Sequence, residues 1–309
     1  MPPEKIAAFS EDESVPGLSL DRRIPLAAYW ELTKPRLSMM AVITALLGFL
    51  AAAKGDSIAL AAVFVGTALA AGGAAALNQW WERHEDALMQ RTADRPLPSQ
   101  QLSPKASLIF GTTLCLLGPA IVWLGSNALA GMLTAVTIVT YVLLYTPLKK
   151  VTPWSTEMGA IPGALPPLIG WVAAEASIGW VGLFLFAVLY VWQLPHFMAI
   201  SWLYREDYAR SGFRMLSLYD KTGRTVSHRA VIWAAPLLVL TVLAWVANEC
   251  GWLFLIGGSL LSIAYLREAV RMFRATERDQ PARRLFLTSI LILPCYLILM
   301  VADRVLFSL

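Results

Sequence analysis

The sequence predicts an all-α fold, a polytopic membrane bundle of about nine transmembrane helices with its N-terminus in the cytoplasm. Hydrophobic residues make up 57% of the 309 and charged residues only 15%, and the mean hydropathy of +0.59 lies above the range of soluble domains. Apolar runs long enough to cross a bilayer recur along nearly all of the chain after residue 36. The basic residues then divide unevenly. With nine spans and a cytoplasmic N-terminus, all of the 25 Lys and Arg except Lys54 and Arg304 fall on the cytoplasmic side, the asymmetry expected of loops that stay inside. An error of one helix would scramble that division.

Residues 1–30 are polar, partly acidic (Glu4, Glu11, Asp12, Glu13) and lack an apolar core. They read as a disordered cytoplasmic tail, not a cleaved signal peptide or an Arg-rich mitochondrial presequence. The remaining residues, 31–309, form one membrane domain, expected in a bacterial inner (plasma) membrane. Its first four spans are expected at about 36–53, 57–81, 106–124 and 128–147. The small residues Ala70, Ala71, Gly72 and Gly73 let the second span pack closely against a neighbour. A connection as short as Gly125-Ser126-Asn127 makes the third and fourth spans antiparallel neighbours. Five more spans follow at about 157–174, 178–203, 230–248, 251–272 and 285–303. The fifth carries Pro162, Pro166 and Pro167, tolerable where neighbours satisfy the freed carbonyls. The net charge of +4 follows from topology and attraction to anionic lipid; no nucleic-acid module is present. Cys115, Cys250 and Cys295 stand singly in apolar runs and read as buried, inert thiols.

Chemistry gathers at helix ends on the cytoplasmic side. Asn78, Glu82 and Asp86 are spaced by four, so they share one helix face where the second span runs out, with Arg91 and Arg95 just beyond. Oxygen donors of this kind suit Mg2+, which is commonly held by one or two carboxylates and a substrate's phosphates. Asn78 lies inside the apolar run, where an unpaired amide is costly. A second block, W-Q-L-P-H-F-M-A-I-S-W-L-Y-R-E-D-Y, sets His196 in the sixth span and Glu206 and Asp207 at its end. These acids are a candidate second metal pole, and Arg205 and Arg210 are their alternative as charge partners. Y-T-P-L-K-K brings Tyr145, Lys149 and Lys150 to the same level, where topology alone would also account for the lysines. Lys34 and Arg36, at the mouth of the first span, read as residues that snorkel to headgroups. His84 and His228 read as loop residues.

The motifs N-x-x-x-E-x-x-x-D-x-x-M-x-R-T-x-x-R-P-L, W-Q-L-P-H-F, Y-R-E-D-Y, L-T-K-P-R-L and Y-T-P-L-K-K together resemble those of the protohaem farnesyltransferases, or haem O synthases, a branch of the intramembrane prenyltransferases. The resemblance covers about residues 28–305. It implies that farnesyl diphosphate donates its prenyl group to a vinyl group of haem B, with water adding to leave a hydroxyethylfarnesyl substituent. Asn78, Glu82 and Asp86 match the family's magnesium–diphosphate motif, with Glu82 where Asp is usual. Arg91, Arg95, Lys149, Lys150 and Arg210 are the candidate diphosphate ligands and His196 the candidate haem contact; at the second pole the chain departs from quinone-type relatives, with Glu206 and Asp207 in Y-R-E-D-Y where those carry several aspartates. The poor solubility of haem argues for handover to a haem-modifying partner enzyme. A quinone-precursor acceptor would use the same donor site. A transporter would place its polar residues near the bilayer midplane instead.

Overall fold

The computed structural model describes residues 26–307, and every regular element among them is helical. The tail expected over residues 1–25 lies outside the described residues. Residues 26–30, also expected in that tail, instead open a short helix, α1 (Leu26–Leu32). Ala28 and Leu32 on one face of α1 are buried in an apolar cluster with Ala76, Leu97 and Leu102.

Among the described residues nine long helices follow in the expected order. The first half comprises α2 (Pro35–Ala51), α3 (Ser57–Trp81), the one-turn α4 (Arg83–Asp86), α5 (Pro104–Gly125) and α6 (Ala128–Leu148). The second comprises α7 (Ser155–Glu175), α8 (Trp180–Leu203), the short α9 (Arg205–Ser211) and α10 (Leu216–Tyr219), then α11 (Arg224–Val246), α12 (Trp252–Arg274) and α13 (Asp279–Phe307). Seven of these are long and apolar enough to cross a membrane on their own, and α1 with α2, bent by 52°, makes an eighth. The remaining helix, α7, falls short of that apolarity because protein surrounds it. Fifteen of its 21 residues are buried, Pro162, Pro166 and Pro167 among them. A span that faces its neighbours need not be uniformly apolar toward lipid.

Small residues set the helix spacing. A Cβ on Gly48 would fall 2.0 Å from the Pro167 carbonyl oxygen, and one on Gly170 would fall 1.8 Å from that of Ala45, so α2 and α7 touch backbone to backbone. In α6 the turns over Thr140–Tyr145 widen to a π-helix just before Pro147. In α register the Pro147 ring would press on the carbonyl of Leu143, and the wider turn relieves this. His228 lies on α11, because Gly223, in the left-handed region at φ 70°, starts that helix ahead of the expected position. Of the thiols, Cys250 is buried, whereas Cys115 is half-buried and Cys295 is exposed on an outward face of α13.

Candidate active site

The α3 face continues through its own end. Glu82 leaves the helical region at φ −92°, ψ 11°, yet its N–H still bonds the Asn78 carbonyl and the Asp86 N–H bonds the Glu82 carbonyl. Asn78, Glu82 and Asp86 therefore stay in one row, and all three are buried, Asp86 completely. Each member has a basic partner from elsewhere in the chain. Lys34 Nζ donates to Asn78 Oδ1 at 2.9 Å, while Asn78 Nδ2 donates to Thr146 Oγ1 at 3.2 Å. Lys149 Nζ lies 2.6 Å from Glu82 Oε1, and Arg95 Nη1 donates to Asp86 Oδ2 at 2.7 Å. Beside them Lys150 forms a close ion pair with Glu85.

Burial alone would lower the affinity of Lys149 for its proton, but the adjacent Glu82 carboxylate outweighs it and holds the ammonium well above the usual lysine range. The same side chain sits over the rings of Tyr145 (4.7 Å) and Phe213 (5.4 Å). The π-turn of α6 fixes this placement, bringing Tyr145, Thr146 and Lys149 to the α3 row.

The site has the chemistry of a cation centre. Asp86 Oδ1 is buried without a hydrogen-bond partner, and Glu82 Oε1 is met only by the Lys149 ammonium at 2.6 Å. A buried acceptor left open is costly, and a divalent cation would satisfy it. Among the described residues no three His, Cys, Asp or Glu side chains converge. The row therefore offers two carboxylates and an amide, a set that leaves further positions to phosphate oxygens.

A cap assembled from two loops covers this end. Met89 packs with Tyr208, Phe213 and Met215. The Gln90 N–H donates to Asp207 Oδ1 at 3.2 Å, and the Arg214 N–H donates to the Lys149 carbonyl at 2.6 Å. The second block thus reaches the first through Asp207, which is buried and also pairs closely with Arg210. Glu206 points elsewhere: it is exposed and makes no hydrogen bond or ion pair among the described residues. Arg91 is exposed as well, with its guanidinium 5.1 Å from the rings of both Tyr204 and Tyr208. His196 lies apart from the row, on the α8 face against α13, with Nδ1 2.6 Å from Ser289 Oγ.

The UbiA prenyltransferase family matches residues 41–290. The chain belongs to that family. Among curated members it is 43% identical to a "Protoheme IX farnesyltransferase" of Opitutus terrae, over 89% of this chain and 94% of the relative. It is 41% identical to one of Solibacter usitatus, over 89% and 98%. Solved structures share the fold. That from a study of digeranylgeranylglyceryl phosphate synthase superposes with a TM-score of 0.77 at 17% identity, covering 91% of this chain and 98% of that one. A UbiA homolog from Archaeoglobus fulgidus bound to GPP and Mg2+ gives 0.57 at 13%, covering 88% and 99%.

Two members of this candidate site are not evident from the sequence. Lys34, expected to snorkel, turns inward from a left-handed backbone conformation (φ 47°) to reach Asn78. Glu85, one turn from Glu82, carries a buried oxygen without a hydrogen-bond partner and holds Lys150. Its i+3 spacing from Glu82 was the available signal; for Lys34 there was none beyond its place at a helix mouth.

Proposed function

We propose that the chain transfers the farnesyl group of farnesyl diphosphate to a vinyl group of haem B, giving the hydroxyethylfarnesyl haem, haem O. The observation that carries the donor half is the buried Asn78–Glu82–Asp86 row with its open Asp86 Oδ1, set among Lys34, Arg95 and Lys149. The acceptor half is supported by relatives named protoheme IX farnesyltransferase at 43% and 41% identity over most of their length.

Asn78, Glu82 and Asp86 would hold Mg2+, which when bound neutralises the diphosphate and makes it a better leaving group. Lys149, Arg95 and Lys34 supply fixed positive charge around the same position, stabilising negative charge as it builds on the leaving oxygen. The allylic carbon–oxygen bond breaks and the diphosphate departs with the bonding pair. The π electrons of the haem vinyl group form the new carbon–carbon bond. Water adds to the carbon left electron-deficient and releases a proton. The cap, tied through Asp207 to Gln90 and through Arg214 to Lys149, holds the polar end closed over the donor and limits premature capture of the allylic cation by water. Arg91, Lys150 and Arg210 stand at the rim, where they attract the diphosphate. His196 contacts the haem. Asp207 positions the cap, and Glu206 with Asp207 would form a second metal pole only after Glu206 turned inward. The domain, residues 31–309, works in a bacterial plasma membrane with these loops in the cytoplasm, and passes its product to a haem-modifying partner enzyme.

Incubating the purified protein with haem B, farnesyl diphosphate and Mg2+, followed by mass spectrometry of the pigments, tests this. A haem heavier by one farnesyl and one water is expected, absent with chelator and in Asp86→Ala. Unmodified haem from folded protein that binds both substrates would overturn it.

A further inference from the structure

Where α8 meets α13 lies a part-buried polar cluster that the donor chemistry does not use. His196 Nδ1 is 2.6 Å from Ser289 Oγ, and the same hydroxyl oxygen is 2.5 Å from the Phe286 carbonyl oxygen. Contacts this short between electronegative atoms each need a proton between them. A carbonyl has none and a serine hydroxyl has one. Ser289 therefore donates to Phe286 and accepts from His196, so Nδ1 carries the histidine's proton. Trp192, Phe197 and Phe286 pack around the imidazole, and no carboxylate bonds it among the described residues. Such surroundings suit the neutral ring, whose second nitrogen then holds a lone pair. That nitrogen, Nε2, makes no hydrogen bond among the described residues and is not among the sealed, unpartnered atoms.

The frame around the pair is fixed. Ser289 is fully buried, and its carbonyl accepts from Trp192 Nε1 at 2.9 Å. The Trp192 carbonyl in turn accepts from the Tyr265 hydroxyl at 2.7 Å. Neither the serine nor the helix turn bearing His196 is free to rotate away. Histidines that ligate a metal characteristically donate their other ring N–H to an acceptor, which sets tautomer and ring orientation. Ser289 supplies that acceptor here.

We propose that Ser289 is a positioning residue that fixes His196 as the Nδ1–H tautomer and leaves Nε2 as the nitrogen that would bind the iron of the acceptor haem. This rests on haem being the acceptor. The chain has three histidines, so the full-length protein in nanodiscs with 15N-labelled imidazoles gives resolvable ring signals, and His196→Asn assigns the one in question. A protonated Nδ1 and bare Nε2 are expected in the wild type, lost in Ser289→Ala and kept in Ser289→Thr. Titration with haem B, followed by optical and resonance Raman spectra, should give an iron–histidine signature that His196→Asn abolishes. Ser289→Ala should weaken haem binding roughly tenfold or more and shift that signature, and Ser289→Thr should restore both. An Nε2–H tautomer in the wild type, or a signature indifferent to both His196→Asn and Ser289→Ala, overturns the proposal. Product formation is scored in parallel. Farnesylated haem made without an iron–histidine signature refutes the ligand role alone, whereas no farnesylated haem from wild type that binds both substrates refutes the reading beneath it.

Discussion

Glu82→Gln separates two roles of one carboxylate, holding Lys149 and binding metal. The pair sits at 2.6 Å with side chains 4% and 12% exposed. At that distance, unit charges at an effective dielectric of about 20 attract by roughly 6 kcal/mol before desolvation is counted. Desolvation offsets much of this, but deleting one member of such a pair costs about 3–5 kcal/mol, because the survivor stays buried and charged. Gln keeps the shape and removes the charge, so the ligand-free variant should lose about 3 kcal/mol of stability. Glu82→Gln with Lys149→Met removes both charges and should recover most of that loss. Turnover should not follow stability. Both variants lack the anionic ligand oxygen, and the rate should fall by on the order of 10² to 10³, the range for losing one charge-stabilising group. Unfolding in detergent gives the first quantity, and mass-spectrometric quantification of farnesylated haem across a magnesium series gives the second. Near-wild-type turnover in Glu82→Gln would remove this residue from the metal site. A double variant as unstable as the single one would refute the charge-pair account of stability.

Three further substitutions probe the frame around the site. Gly170→Ala puts a Cβ 1.8 Å from the Ala45 carbonyl oxygen, so α2 must shift from α7; a loss of about 1–3 kcal/mol should appear as a lower unfolding midpoint. Gly159→Ala sets a methyl 2.4 Å from the Tyr145 ring, which should displace Tyr145 and Lys149 and raise KM for the prenyl diphosphate while the membrane helices stay intact by circular dichroism. Asp207→Ala breaks the bond from the Gln90 N–H and the pair with Arg210; about 1 kcal/mol of stability should go, with faster proteolytic cleavage in the 205–214 segment.

Much of the fold was legible because a bilayer leaves few options. Only helices and closed barrels satisfy every backbone group in lipid, and nine apolar runs of helical length choose between them. The prolines of α7 did not break it, because protein surrounds the helix along most of its length. Helix starts were less legible. His228 was read as a loop residue because its stretch is polar, but a left-handed Gly223 begins α11 upstream of it. At α1, Ala28 and Leu32 pack on Leu97 and Leu102 from a distant segment, and sequence spacing carries no trace of such a contact. The α3 row was readable because four-residue spacing is local. Lys34, by contrast, reaches Asn78 across 44 positions of chain, and Glu206 faces out although it adjoins buried Asp207.

Three of the five cations expected to bind diphosphate are already engaged at the end of α3. Lys149 is held by Glu82, Lys150 by Glu85 and Arg95 by Asp86, so the three acids of E-R-H-E-D each hold one base. An anion approaching this resting site meets neutralised charge, and gains attraction only where a carboxylate turns to another partner. A divalent cation at Glu82 and Asp86 supplies that partner and leaves Lys149 and Arg95 for phosphate oxygens. Diphosphate affinity should therefore depend on magnesium by at least roughly tenfold, about 1.4 kcal/mol, measured by calorimetry with inorganic diphosphate in chelator and in Mg2+. Glu85→Gln makes the test specific. It frees Lys150 without touching a proposed metal ligand, so affinity in chelator should rise while affinity in Mg2+ changes little. Equal affinities with and without metal in the wild type, or no gain in Glu85→Gln, would mean that these acids do not hold the lysines back from the substrate.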